Sequence, residues 1–152
     1  MREIAITRQL PVSASDAFSW LTDYTPDDSS IFGDPPGGRS VERISENEFR
    51  LRNRYPGTNI VEETHVVLSP PHQWNCSGVL RYHSFRIAVY SQHMELSPAP
   101  KGCELHMTVD LEVTSLLARL YLFFSPDFVS KEINSHYDRI ISSLERDVTG
   151  RA

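Results

Sequence analysis

The stretch that decides the fold is CELHMTVDLEV, Cys103 to Val113. Cys103, Leu105, Met107, Val109, Leu111 and Val113 alternate without a break with Glu104, His106, Thr108, Asp110 and Glu112. Successive side chains of a strand point to opposite faces, so this pattern predicts a strand with one dry face and one wet face. The periodicity then turns helical and stays so almost to the C-terminus. Val129, Ile133, His136, Tyr137, Ile140, Leu144 and Val148 recur at spacings of three and four, opposite Lys131, Glu132, Asp138, Arg139 and Glu145. A long amphipathic helix needs a surface for its apolar stripe, and the dry face of the preceding strand is the nearest one.

Upstream, Glu3 to Leu10 reads as a first strand stopped by Pro11. Ser13 with Asp16 three residues later predicts a capped helix whose apolar side is Ala17, Phe18, Trp20 and Leu21. Thr25 to Arg39, TPDDSSIFGDPPGGR, is a loop with one helical turn near Ser29 to Phe32. Five more strands are predicted before Cys103: Ser40–Ser45, Phe49–Tyr55, Asn59–Ser69, Trp74–Tyr82 and Phe85–Leu96. Pro56-Gly57 fits a type II turn and Pro70-Pro71 ends a strand, whereas no Gly, Pro or Asn marks the turn between Tyr82 and Phe85. Ser97 to Gly102, SPAPKG, reads as a turn. The reading is α+β: a seven-stranded antiparallel sheet wrapped around a long C-terminal helix, with two short helices after the first strand.

The whole chain is consistent with one domain covering residues 1–152, large enough to bury about 70% of its unfolded surface. A net charge of −5 argues against general nucleic-acid affinity. Cys76 and Cys103 lack paired spacing and are expected to be free thiols in a cytoplasmic protein. Met1 to Leu10 lacks the apolar core of a signal peptide, and no segment reaches the ~20 apolar residues of a membrane span.

The order of elements is that of the helix-grip fold, and several segments resemble the START/polyketide-cyclase-like (SRPBCC) superfamily. These are LPVSASDAFSWLTDY at Leu10–Tyr24, VVLSPPHQW at Val66–Trp74, MELSPAPKGCELHMTVDLEV at Met94–Val113 and INSHYDRIISSLERDV at Ile133–Val148. The resemblance implies a deep, mostly apolar cavity between sheet and helix. It leaves the contents open, because the superfamily includes carriers, cyclases, receptors, hydroxylase subunits and chaperone activators.

Six histidines (His65, His72, His83, His93, His106 and His136) are scattered without a metal-ligand spacing, so no metal is expected. There is neither a Gly-x-Ser-x-Gly elbow nor a phosphate loop, Pro35-Pro36-Gly37-Gly38 being stiffened by proline; no cofactor is expected. Arg50, Arg52 and Arg54 form a cationic stripe that reads as a wet outer face, or as a patch for an acidic partner or anionic lipid. With Met94 and Leu96 inward, Tyr90 and Gln92 point inward too. On the final helix at least one of His136 and Tyr137 should face the sheet. Two alternations compete in Asn59–Ser69: one sends Glu62 inward with Ile60, Thr64, Val66 and Leu68, the other His65 with Val61, Glu63 and Val67. Leu116 to Phe124, LLARLYLFF, reads as packed core or as a lid hinged at Pro126. An interfacial helix would need a charged face, and Arg119 is its only charge.

Three functions follow. The first is binding or carriage of a small hydrophobic or aromatic ligand, lipid- or polyketide-like. Its lining would be Phe49, Leu51, Tyr55, Tyr90, Gln92, Met94, Leu105, Met107, Val109, Ile133, Tyr137 and Ile140. The second is a cyclase or dehydratase using cavity acid–base groups. The third is an interaction module with no filled cavity. The lack of a recognisable acid–base constellation favours binding over catalysis, while ligand identity and oligomeric state stay open.

Overall fold

Residues 2–32 and 37–150 are described by the structure, a computed structural model. The part of the Thr25–Arg39 loop at 33–36, with Pro35-Pro36, lies outside them. Seven strands form a single antiparallel sheet: β1 (Arg2–Leu10), β2 (Arg39–Ser45), β3 (Glu48–Arg54), β4 (Ile60–Ser69), β5 (Gln73–Tyr82), β6 (Phe85–Ala99) and β7 (Gly102–Val113). Their spatial order is β1-β7-β6-β5-β4-β3-β2, so every strand except β1 lies beside its sequence neighbour. The helices are α1 (Ala14–Leu21), α2 (Leu116–Phe124) and α3 (Phe128–Thr149), and a 3-10 segment covers Pro26–Phe32.

The deciding alternation is carried into the sheet. Cys103, Leu105, Met107 and Val109 are all buried, at 2% exposure or less. On the other face, His106 and Glu112 are exposed and Glu104, Thr108 and Asp110 half-buried. Ser13 caps α1 as its spacing predicts: its hydroxyl oxygen accepts from the Asp16 amide at 3.1 Å while its proton goes to the Asp16 carboxylate at 2.8 Å. Cys76 on β5 and Cys103 on β7 are separated by β6, and both are free and buried.

One turn differs from expectation, and one lies where it was expected although no residue marks it. SPAPKG is mostly strand: β6 runs on to Ala99, which pairs with Gly102 and leaves only Pro100-Lys101 as the turn. Gly102 sits at φ +137°, and a Cβ there would lie 2.1 Å from the Leu10 carbonyl oxygen, so glycine lets β1 close against this hairpin. The unmarked turn between Tyr82 and Phe85 is made by His83, at φ +53°. Histidine tolerates that region better than most residues, which is why no glycine announces it.

α3 lies on the inner face of the sheet. Its Tyr137 and Leu144 are in the core, with Val129, Ile133, Ile140, Ile141 and Val148 packed around it. Polar ties hold the helix in place: Trp20 Nε1 donates to Asp147 at 2.9 Å, Arg8 donates to Asn134, and Arg2 donates to the Pro126 carbonyl and to Ser130. Phe18 meets Trp74 edge-on at 5.7 Å, seating α1 over the same end of the inner face. α2 departs from the expectation of packed core. None of its residues is buried, and Leu117, Phe123 and Phe124 are 78%, 78% and 79% exposed. Its apolar residues lie all round a short helix that leaves the end of β7, so no single face can bury them.

Candidate functional site

Antiparallel pairing lines up inward side chains in rows across the sheet. One row is Leu68, Trp74, Met94, Met107 and Ile6; the next is Phe49, Val66, Cys76, Gln92, Val109 and Ile4. A third is Leu51, Thr64, Gly78, Tyr90 and Leu111, and a fourth begins Asn53, Glu62, Leu80, Ala88. The inner face is therefore apolar at the α1 end and polar toward the β3–β4 turn.

The register settles the strand that sequence left open. Glu62, Thr64 and Val66 stand opposite Asn53, Leu51 and Phe49, so the carboxylate faces in. His65 faces out, its Nε2 2.6 Å from Glu48 Oε1.

Glu62 is the hub of a network. Its Oε1 accepts from the Tyr90 hydroxyl at 2.6 Å, and its Oε2 accepts from Asn53 Nδ2 at 2.9 Å and from the Tyr55 hydroxyl at 2.8 Å. The Thr64 and Tyr90 hydroxyls are 2.7 Å apart. Because the single Tyr90 proton goes to Glu62, Thr64 must donate to Tyr90, which orders the chain as Thr64 to Tyr90 to Glu62. Behind Asn53, Arg39 Nε donates to its Oδ1 at 2.9 Å, and Arg39 pairs with Asp28 at 3.1 Å.

Gly78 makes the reach of Tyr90 possible. A Cβ at Gly78 would fall 2.3–2.5 Å from three atoms of the Tyr90 side chain, so the phenol lies directly over the glycine as it crosses β5 to meet β4. A glycine inside a strand is the sequence sign of such a close approach.

Beside this network is a set of buried proton donors. Loss of hydration, followed by the adjacent Glu62 charge, raises the Tyr90 phenol well above its ordinary value. Burial also raises Tyr24 well above the ordinary phenol range, and its hydroxyl hydrogen-bonds the Cys76 thiol. Burial pushes Cys76 up to about 12, and burial raises Tyr137 as well. The Tyr137 hydroxyl points at Met94 Sδ, 3.6 Å away. All four groups stay neutral at physiological pH and can donate hydrogen bonds. None is a ready nucleophile or base.

Of the residues singled out from sequence, Phe49, Leu51, Tyr90, Gln92, Met94, Leu105, Met107, Val109 and Tyr137 all face the interior. Ile133 and Ile140 approach them from α3. Tyr55 sits just beyond β3, 37% exposed, and reaches in through its hydroxyl. His136 is exposed and Tyr137 is the inward member of that pair. Sequence reasoning placed Thr64 inward only as one of two alternatives, with Glu62, and missed Tyr24, Asp28, Arg39, Asn53, Cys76 and Gly78 as site residues. Thr64, Cys76 and Gly78 were accessible through the alternation about Trp74 and Val66. Tyr24, Asp28 and Arg39 reach the site from a loop, a short 3-10 segment and a strand start, where periodicity has no purchase.

The outer face has a shallow hollow bordered by His65, Asn75, Ser77, Ser91 and His93. Its histidines are already engaged, His65 by Glu48 and His93 by Asn75. The arginine stripe also faces outward: Arg50 pairs with Glu42, while Arg52 and Arg81 share Glu63. Among the described residues, no group of three or more His, Cys, Asp or Glu side chains is placed to hold a metal ion.

No protein-family model matches the chain, and no curated protein matches it by sequence. Solved structures do. The ZhuI aromatase/cyclase of Streptomyces sp. R1128 superposes with a TM-score of 0.73 at 16% identity, over 97% of this chain and 95% of that one. The di-domain aromatase/cyclase BexL of the BE-7585A biosynthetic pathway superposes with a TM-score of 0.69 at 14% identity, over 94% of this chain and 48% of its own length. A conserved protein of Geobacillus kaustophilus gives 0.65 at 16% identity, over 95% and 94% of the two chains. At such identities the likeness is one of fold: the chain has the helix-grip architecture found in polyketide aromatase/cyclases.

Proposed function

We propose that this chain is a single-domain member of the START/polyketide-cyclase-like (SRPBCC) superfamily. In this reading it binds a small aromatic, polyketide-like molecule in a cavity between the sheet and α3. The observation that carries this is the graded inner face, apolar toward α1 and ending in a Thr64–Tyr90–Glu62–Asn53 network at the other end. Such a surface suits a ligand with a flat hydrophobic body and a hydroxyl or carbonyl at one end. Tyr90 and Gln92 support the presence of a recess. Tyr90 keeps accessible surface although its phenol is strongly desolvated, as a group lining an enclosed space does. Gln92 faces inward yet, among the described residues, its amide has no hydrogen-bond partner and is not sealed from water. The fold shared with aromatase/cyclases agrees with this class of ligand.

A second reading, catalysis, draws on one observation. Glu62 accepts three hydrogen bonds, two of them from phenols, Tyr90 and Tyr55. A bound β-dicarbonyl displacing the Tyr90–Glu62 bond would meet a carboxylate able to take an acidic C–H proton and a phenol able to donate to the enolate oxygen.

The test is native mass spectrometry of the purified protein, extraction of any carried molecule, and titration with planar polyphenols. Parent protein should bind them with 1:1 stoichiometry. Tyr90→Phe should retain the hydrophobic body but lose preference for oxygenated ends. A protein that carries nothing and takes up neither polyphenols nor a hydrophobic dye would overturn the binding reading. Turnover of a poly-β-ketone abolished by Glu62→Gln would decide for the enzyme.

A further inference from the structure

We propose that α2 and the β5–β6 turn together form a docking surface for an anionic membrane interface. Eight of the nine residues of α2 are apolar or aromatic. Leu116, Leu117, Phe123 and Phe124 are each more than 70% exposed, as is Phe85, the first residue of β6 beside the β5–β6 turn. The two apolar segments share one end of the sheet. β6 carries a register shift after its first residues, and the Ile87 carbonyl there accepts from the amides of Thr114 and Ser115 at 2.9 and 3.3 Å. Thr114 Oγ1 also donates to the Arg86 carbonyl at 3.0 Å, fixing the start of α2 beside Arg86 and Phe85. Contiguous exposed apolar surface of this kind marks an interaction site.

Charge decides which partner it fits. The chain carries −5 overall, yet the segments 81–86 and 114–126 contain no Asp or Glu; Arg81 is paired with Glu63, and Arg86 and Arg119 are the remaining cations of these segments. Glu112 and Asp127 bracket α2 from outside, and Glu63 is taken up by Arg52 and Arg81. α2 alone lacks the charged face of an interfacial helix, but Arg86 at the start of β6 adds to Arg119, and this apolar tip with two cations on an acidic protein is complementary to an anionic lipid surface. Leu and Phe can enter the acyl boundary while arginines stay at the phosphates. A second copy docked through the same face would set these arginines against their own equivalents. α2 is about 13 Å long by its helical rise, and no described helix is long and apolar enough to cross a bilayer, so the protein would lie on the membrane. This surface does not depend on the ligand proposed above.

The test is sedimentation of the full chain with vesicles of phosphatidylcholine alone and of phosphatidylcholine with about one third phosphatidylserine. Binding should favour the anionic vesicles and fall at high salt. Phe123→Ser with Phe124→Ser, and separately Arg86→Glu with Arg119→Glu, should each weaken it by about tenfold or more. Their thermal melts should stay at the parent value, because all four side chains are exposed. Folded parent protein that ignores anionic vesicles overturns the proposal, as does binding equal on both vesicle types and indifferent to salt. A concentration-dependent dimer abolished by the phenylalanine changes, without vesicle binding, would assign the face to a second copy instead.

Discussion

The two ends of the inner face are built from the same strands and do opposite things. At the α1 end, Trp74, Met94, Leu96, Leu105 and Met107 are each 2–3% exposed and pack against one another and against helix residues. At the other end β3, β4 and β6 place Asn53, Glu62, Thr64 and Tyr90, joined to Arg39 and Asp28 by hydrogen bonds. The difference teaches where stability and function are divided. A dry row gains from every methylene it buries. A polar row inside a protein is tolerated only with its hydrogen bonds satisfied, and its groups are then the ones a ligand can recruit. Chemistry is concentrated at the end that contributes least apolar burial.

The largest effect should come from removing what both ends share. Deleting the chain from Phe128 onward strips Tyr137, Leu144 and their neighbours from the sheet. The product should be molten or insoluble, with dye-binding surface and no cooperative melt. A truncated chain that stays monomeric and melts cooperatively would break the helix-grip account of its stability.

The next prediction separates the ends. Met107 is 2% exposed within the core, so Met107→Trp should overpack the dry end and lose about 1–3 kcal/mol by denaturant titration. Unchanged stability would place open space there too. At the polar end, Gly78→Ala should displace the Tyr90 ring and Tyr90→Phe should remove one donor from Glu62. The latter should cost about 1 kcal/mol and alter ligand preference more than stability. If Tyr90→Phe were as damaging as Met107→Trp, the division between the ends would fail.

Alkali should act on the boundary between them. Cys76 titrates near 9 when unfolded and about 12 when buried. Between those values the unfolded chain has released a proton that the folded chain retains, so rising pH favours unfolding. Stability should be intact below pH 9 and then fall by about 1.4 kcal/mol per pH unit from this thiol alone. Tyr24, Tyr90 and Tyr137 act in the same direction above the ordinary phenol value. Cys76→Ala should blunt the onset near pH 9, as read from melts between pH 8 and pH 11. An unchanged profile would remove Cys76 from the account.

The smallest effect belongs to a local interaction at the dry end. Ser13→Ala removes the α1 cap and should cost about 1 kcal/mol, visible as a lower melting temperature, with no change in ligand binding.

The sequence by itself determined what repeats. Alternation in Cys103–Val113 and Phe49–Tyr55, the three-and-four spacing of Val129–Val148, the Ser13–Asp16 cap and the turn prolines were enough to set out the sheet, its long helix and most inward residues. Each of these signals is local, since a strand shows its dry face every second residue and a helix every third or fourth. Only the tertiary structure decided between Glu62 and His65, because both alternations of that strand mix apolar and ionisable residues and pairing with β3 decides which faces in. Only it joined Asp28, Arg39, Asn53 and Tyr90 into one network around Glu62, across 62 residues of chain from Asp28 to Tyr90. It also decided that LLARLYLFF lies outside the core. Composition reports that such a segment is hydrophobic, but whether it is buried depends on whether the rest of the fold leaves a surface for it. Here the inner face is already occupied by α3.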